Sequence, residues 1–135
     1  MRSSRLTSAF SCPRVGGTIW HETESGVSMG RGSQRKGRAA ELELARILQA
    51  AGYDVIPGEP VSYGAVPDLS GLPGIHVECK RAERVQLSEW MQQAERDAER
   101  FNDGAPAVFH RRNRAPWLVT MRLADWLKIY GGTLQ

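Results

Sequence analysis

The sequence is poor in cysteine. Only Cys12 and Cys79 occur in its 135 residues, and Cys12 lies in an irregular stretch, so a disulfide framework is not expected and a reducing interior is the default. No apolar run approaches the roughly 20 residues that a membrane-spanning helix needs. Nor does an apolar segment follow Met1 as a secretory signal would. These absences exclude a bilayer anchor and make a cytoplasmic protein the expectation. Repeats are absent too, which removes solenoids and propellers. Charge of neither sign dominates: the net charge of +3 is compatible with a polyanionic partner without demanding one. What remains is enough chain for one packed domain and one site.

Residues 1–32 are rich in Ser, Gly and Arg, lack a sustained period, and read as a flexible leader ahead of a single domain over 33–135. Met29 stands just before the patterned part, so a start there instead of at Met1 is an expectation that a processed or re-initiated N-terminus would bear out. A helix is expected over 33–51, with Ala40, Leu44, Ile47, Leu48 and Ala51 on one face and Gly52 as its stop. "YDVI" at 53–56 reads as a strand. A loop leads to Pro67-Asp68, where a second strand begins, turns at "GLPG", and returns as "IHVECK", 75–80. Side chains alternate along a strand, so Ile75, Val77 and Cys79 share one face and His76, Glu78 and Lys80 the other.

A helix over 87–101 follows, apolar at Leu87, Trp90, Met91, Ala94, Ala98 and Phe101 and charged opposite. Strands at 107–110 and 117–120 flank the basic loop "RRNRAP" as a hairpin, and a last helix runs through Leu123, Trp126, Leu127 and Tyr130. The order α-β-β-β-α-β-β-α is that of an α/β fold: a mixed central β-sheet flanked by helices.

Pairing of the second and third strands would bring Asp68, Glu78 and Lys80 to one end of the sheet. Carboxylates are hard oxygen ligands suited to Mg²⁺ or Mn²⁺, which also bind phosphate oxygens. A lysine beside them can orient an attacking water or stabilise charge developing on phosphorus. Phosphodiester hydrolysis is the chemistry such a set serves.

Pro67-Asp68, nine intervening residues and Glu78-Cys79-Lys80 resemble the signature of the PD-(D/E)XK nuclease superfamily, with its restriction-endonuclease-like fold. "RKGRAAELELARILQAAGYDV", 35–55, is similar to the opening helix and first strand of archaeal-type Holliday junction resolvases. There a KGxxAE-like segment supplies a further metal-site acid, which Glu41 matches. "GLPGIHVECKR" and "VFHRRNRAPWLVT" look like small resolvase-like nucleases of phages and prophages, and the resemblance covers about 33–130. It implies a homodimeric, Mg²⁺- or Mn²⁺-dependent DNA endonuclease acting on branched DNA in a bacterial or phage-infected cell. In that reading Glu41, Asp68 and Glu78 hold the metal, Lys80 assists the water, and cleavage leaves a 5′-phosphate. The loop "GEPVSYGAV" departs from the resolvases: it has Ser62 and Tyr63 but no Lys or Arg, so junction specificity is less defined than cleavage chemistry.

Each residue also has a plainer explanation. Asp68 can cap a turn, Glu78 and Lys80 can form an exposed ion pair, and Glu41 can pair with Arg38 or Arg46 on a helix surface. Arg111, Arg112 and Arg114 suit phosphate contacts or a solvated loop, and Arg35, Lys36 and Arg38 suit a nucleic-acid backbone or simple solubility. His76 shares a face with Glu78 and could touch a metal-bound water, but a solvated or hydrogen-bonded structural histidine is the expectation; Cys79 is expected in the core, and Gln92 and Gln93 are surface amides that could reach the cleft. Trp90, Phe101, Trp126 and Tyr130 are expected in the core or at a subunit interface. Two other functions compete: a nicking or restriction-like duplex nuclease, and a catalytically silent DNA-binding protein of the same fold.

Overall fold

In the computed structural model, residues 31–60 and 64–132 are described. The leader up to residue 30, Met29 with it, and the loop residues Ser62 and Tyr63 lie outside them. The first helix, α1, spans Arg31–Ala50 and so begins two residues earlier than the sequence pattern suggests. Its end is a Schellman closure: the Tyr53 N–H donates to the Leu48 carbonyl (3.1 Å) and the Gly52 N–H to that of Gln49 (3.0 Å). Gly52 takes the left-handed φ of 100° that this closure requires.

That closure shortens the next strand. The strand expected over 53–56 is instead β1, Ile56–Pro57. Tyr53 is used to finish α1, and Val55 turns into the core beneath it. Proline, which has no N–H to donate, then confines β1 to the sheet edge. β2 is equally brief, Leu69–Ser70, and β3 is Ile75–Arg81. α2 covers Leu87–Phe101 as its apolar period indicates, followed by β4 (Ala105–Arg111), β5 (Leu118–Met121) and α3 (Leu123–Tyr130). The five strands form one sheet in chain order. All neighbours are antiparallel except β3 and β4, which are parallel and joined by the α2 crossover.

The register separates the two faces. On one, α1 sets Leu44 and Ala45 against Leu69, Val77, Ala107 and Phe109. On the other, α2 sets Trp90 and Ala94 on Val108. Each fully buried Leu or Val contributes about 1.5–3 kcal/mol, so the two layers hold the sheet firmly at β3 and β4. Gly104 (φ 135°) permits the close approach that starts β4: a Cβ there would stand 2.4 Å from the Gly74 carbonyl carbon. The Ala105 N–H donates to the Gly74 carbonyl at the same point (2.9 Å).

Of the two places expected for the α3 aromatics, the structure excludes the core. The apolar residues of α3, Leu123, Trp126, Leu127 and Tyr130, do not cover the sheet but are exposed, Trp126 by 46% and Tyr130 by 78%. The residue α3 buries is Asp125, which is paired with Arg122 at 2.7 Å and Lys128 at 3.7 Å. Periodicity marks an apolar stripe without saying what will cover it. Trp126 and Tyr130 stack on each other instead, their ring centroids 5.0 Å apart. No helix among the described residues is long and apolar enough to cross a membrane.

Candidate active site

β2 and β3 pair with Leu69 opposite Val77, so Asp68, just before β2, comes beside the far half of β3. There its Oδ2 accepts the Cys79 N–H at 2.8 Å. This bond fixes the carboxylate in the gap left where β2 stops, and an aspartate at that point does more than cap a turn. Glu78 projects from β3 toward α2 and is buried, while Cys79 packs into the α1-side core, as alternation requires. The Lys80 Nζ donates to Glu78 Oε1 (2.8 Å) and to Gln93 Oε1 on α2 (2.9 Å). Glu78 and Lys80 do form an ion pair, but a largely buried one. Gln93 reaches this cleft and Gln92 faces solvent.

Glu41 approaches from α1, held by Arg38 Nη1 at 3.1 Å, and Arg38 in turn donates to the Gly58 carbonyl. Glu41 forms the helix-surface pair with Arg38, and it also lies close enough to Asp68 for the two charges to interact. The carboxyl groups carry that interaction in their protonation. Burial, then the Asp68 charge, pushes the Glu78 pKa up to about 7 against the pull of Lys80. Asp68 is raised by burial despite the Cys79 N–H and Lys80, and Glu41 by burial and then Asp68 despite Arg38. Asp68 and the buried Glu78 keep raised pKa values even with Lys80 beside them, and carboxylate oxygens of this kind are the ligands a hard divalent cation takes. The donor set thus fits Mg²⁺ or Mn²⁺. Burial and the same acids push the Cys79 thiol well up, and the side chain packs against the α1-side core.

The structure adds residues that sequence reasoning left aside. One potential ligand atom from each of His76, Glu78 and Asp97 lies within 4.8 Å of the other two. Asp103 meets the His76 Nδ1 at 2.9 Å, and Phe101 stacks on the imidazole. Asn102, in the left-handed conformation (φ 48°), ends α2 so that Asp103 follows directly. The available signal for Asp97 was its place four residues after Gln93, at the margin of the stripe formed by Ala94 and Ala98.

The basic candidates divide. Arg35, Arg112 and Arg114 are exposed, Arg114 with a positive φ of 57°, and Lys36 is half-buried. Arg111 lies at the end of β4 rather than in the open loop. It donates to Glu43 Oε2 (2.9 Å) and covers the Trp117 ring, whose Nε1 donates to the other Glu43 oxygen. The structure therefore does not bring Arg111 into the open with its neighbours. Bonds from Trp117 and Arg111 hold the Glu43 carboxyl below the ordinary range against a burial effect of opposite sign.

An acid at the mouth of a short strand, an acid-x-lysine triplet on its antiparallel neighbour and helices on both faces define the PD-(D/E)XK nuclease class. Residues 61–132, just over half of the chain, match the family model described as "Phage putative PDDEXK endonuclease". The chain belongs to that family and is a nuclease of the PDDEXK type. Among solved structures it is similar to Hjc of Archaeoglobus fulgidus, a Holliday junction resolvase from an archaeal hyperthermophile, with a TM-score of 0.49 and 24% identity. The similarity covers 64% of this chain and 72% of that one. No curated protein matches the chain.

Proposed function

We propose that the protein is a divalent-metal-dependent DNA endonuclease that resolves four-way junctions as a homodimer. The observation that carries the metal-dependent reading is the placing of Asp68 beside the buried Glu78 by the β2–β3 pairing, with Lys80 on Glu78 and Glu41 near Asp68 from α1. These residues would hold Mg²⁺ or Mn²⁺, and the bound ion supplies Lewis-acid charge at the phosphate.

The side chains perform the rest. Lys80 is positioned by Glu78 and Gln93, which take two of its three donors. The third is directed to the attacking water or a phosphate oxygen. Water attacks phosphorus, the bond to O3′ breaks, and a 5′-phosphate and a 3′-hydroxyl result. Arg112, Arg114, Arg35 and Lys36 contact the DNA backbone, where each neutralised phosphate makes binding more salt-dependent. Junction resolution needs two symmetric cuts, hence two sites. The exposed apolar surface of α3 and β5, with Leu118 and Val119 beside Trp126 and Tyr130, supports pairing of two protomers. The junction itself as substrate is supported by the resolvase-like segment 35–55. A protein with this role works in the cytoplasm of a bacterium or a phage-infected cell.

The test is cleavage of an end-labelled four-way junction and a matching linear duplex in Mg²⁺ by the intact protein and by folded Asp68→Ala and Glu78→Ala variants. Paired junction cuts lost in both variants are expected. Equal cutting of both substrates would make it a general duplex nuclease, and metal-independent binding without cutting a silent DNA-binding protein.

A further inference from the structure

Two histidines are buried on the α2 side of the sheet, and they are not alike. The Nε2 of His110 meets the Thr120 Oγ1 at 2.9 Å, so that ring is satisfied. His76, 1% exposed, has its Nδ1 against Asp103 at 2.9 and 3.0 Å, yet its Nε2 finds no hydrogen-bond partner among the described residues. A buried polar nitrogen without a partner costs on the order of 1–3 kcal/mol. The orphaned atom is aimed at Glu78, whose Oε2 lies 4.0 Å away, and at the cluster that Asp97 completes. A separation of 4.0 Å is too long for a hydrogen bond. It suits two ligands on either side of one ion, each about 2.1 Å from it.

We propose that His76, Glu78 and Asp97 form a mixed nitrogen–oxygen cation site that takes a borderline transition ion such as Mn²⁺ in preference to Mg²⁺. Imidazole nitrogen suits transition ions, whereas Mg²⁺ favours oxygen ligands and water. Asp103 is the positioning residue: by accepting the Nδ1–H it fixes the tautomer that leaves the Nε2 lone pair facing the ion. Phe101, stacked at 6.2 Å and 18° between planes, holds the ring's orientation. Glu78 belongs both to this set and to the acids at Asp68, so the site deepens the proposed nuclease function and rests on it only for what the ion does to DNA.

The test is Mn²⁺ and Mg²⁺ binding to the full-length, metal-free protein without DNA, followed by calorimetry and by the Mn²⁺ electron spin-echo spectrum, which registers directly bound ¹⁴N. The wild type is expected to bind Mn²⁺ more tightly than Mg²⁺ and to show the nitrogen coupling. His76→Gln abolishes the coupling and weakens Mn²⁺ by at least tenfold while changing Mg²⁺ little; Asp97→Asn weakens both; Asp103→Asn weakens Mn²⁺ roughly tenfold. Asp103→Asn, which leaves His76 in place, keeps the test decisive should His76→Gln not fold. A wild type that binds no Mn²⁺, lacks nitrogen coupling, or prefers Mg²⁺ overturns the proposal, as does a folded His76→Gln variant with unchanged Mn²⁺ affinity. Junction cleavage measured in parallel separates the two readings. Mn²⁺ held through nitrogen without DNA cutting sinks the nuclease proposal alone, and cutting with no bound nitrogen sinks this one alone.

Discussion

Beneath α2 the sheet buries charge, while at its β5 edge the protein exposes hydrocarbon. His76 and Glu78 are almost completely covered, yet Leu123, Trp126, Leu127, Ile129 and Tyr130 lie open on α3, with Leu118 and Val119 open on β5. Each region reverses the usual placement of polar and apolar groups, which costs free energy in an isolated protomer. A buried cluster of acids is relieved by a cation, and an exposed apolar helix by another protein surface. In the proposed function a metal ion meets the first region and a second protomer the other.

The largest effects are expected at the acids. Asp68→Ala and Glu78→Ala are expected to lower the cleavage rate on the order of 10²–10³-fold or more while leaving circular dichroism unchanged, since the α1 and α2 packing does not depend on them. Lys80→Ala comes next, at roughly 10²-fold in kcat with Mg²⁺ affinity preserved. Lost metal binding in Lys80→Ala would instead mean that the lysine organises the acids and does not act on water or phosphate.

At the other region, the proposed pairing through α3 makes Trp126→Glu monomeric in sedimentation, against a dimeric wild type, and uncouples paired junction cuts. Its melting temperature should change little when measured as a monomer, because the side chain is half exposed within the protomer. A monomeric wild type would refute the pairing of protomers through α3. The smallest effect is that of pH on the acids. The Glu78 carboxyl has its pKa pushed up to about 7 in the fold from an ordinary 4.5. A raised acid pKa contributes stability that is present below the unfolded value and is lost as pH rises through the folded one. Metal-free protein should therefore melt on the order of 5 °C lower at about pH 8 than at about pH 5. Glu78→Gln should flatten that slope, and a divalent ion should stabilise most above about pH 7. A flat wild-type profile in chelator would mean that the acids do not burden one another.

Much of this was legible along the chain. Local patterns carry the eight elements in order, the bounds of α2 and the face shared by His76, Glu78 and Lys80, because helical and strand periods are properties of neighbouring residues. The Asp68 and Glu78-x-Lys80 spacing was equally visible, since an antiparallel pair converts sequence separation into proximity. The short edge strands were not, because where pairing stops depends on how α1 ends and where Pro57 falls.

What only tertiary structure decided is which surfaces meet. The rotation of α2 over β3 chose Gln93 and Asp97 for the cleft and left Gln92 in water, and the turn at Asn102 brought Asp103 to His76. Arg111 went to Glu43, 68 residues away in sequence, and α3 kept its apolar side outward. The sequence by itself determined the elements and the main acid–lysine constellation, because both arise from local periodicity and one hairpin. Partners of single side chains follow from packing across long separations, where burial of the whole domain decides which charge finds which neighbour.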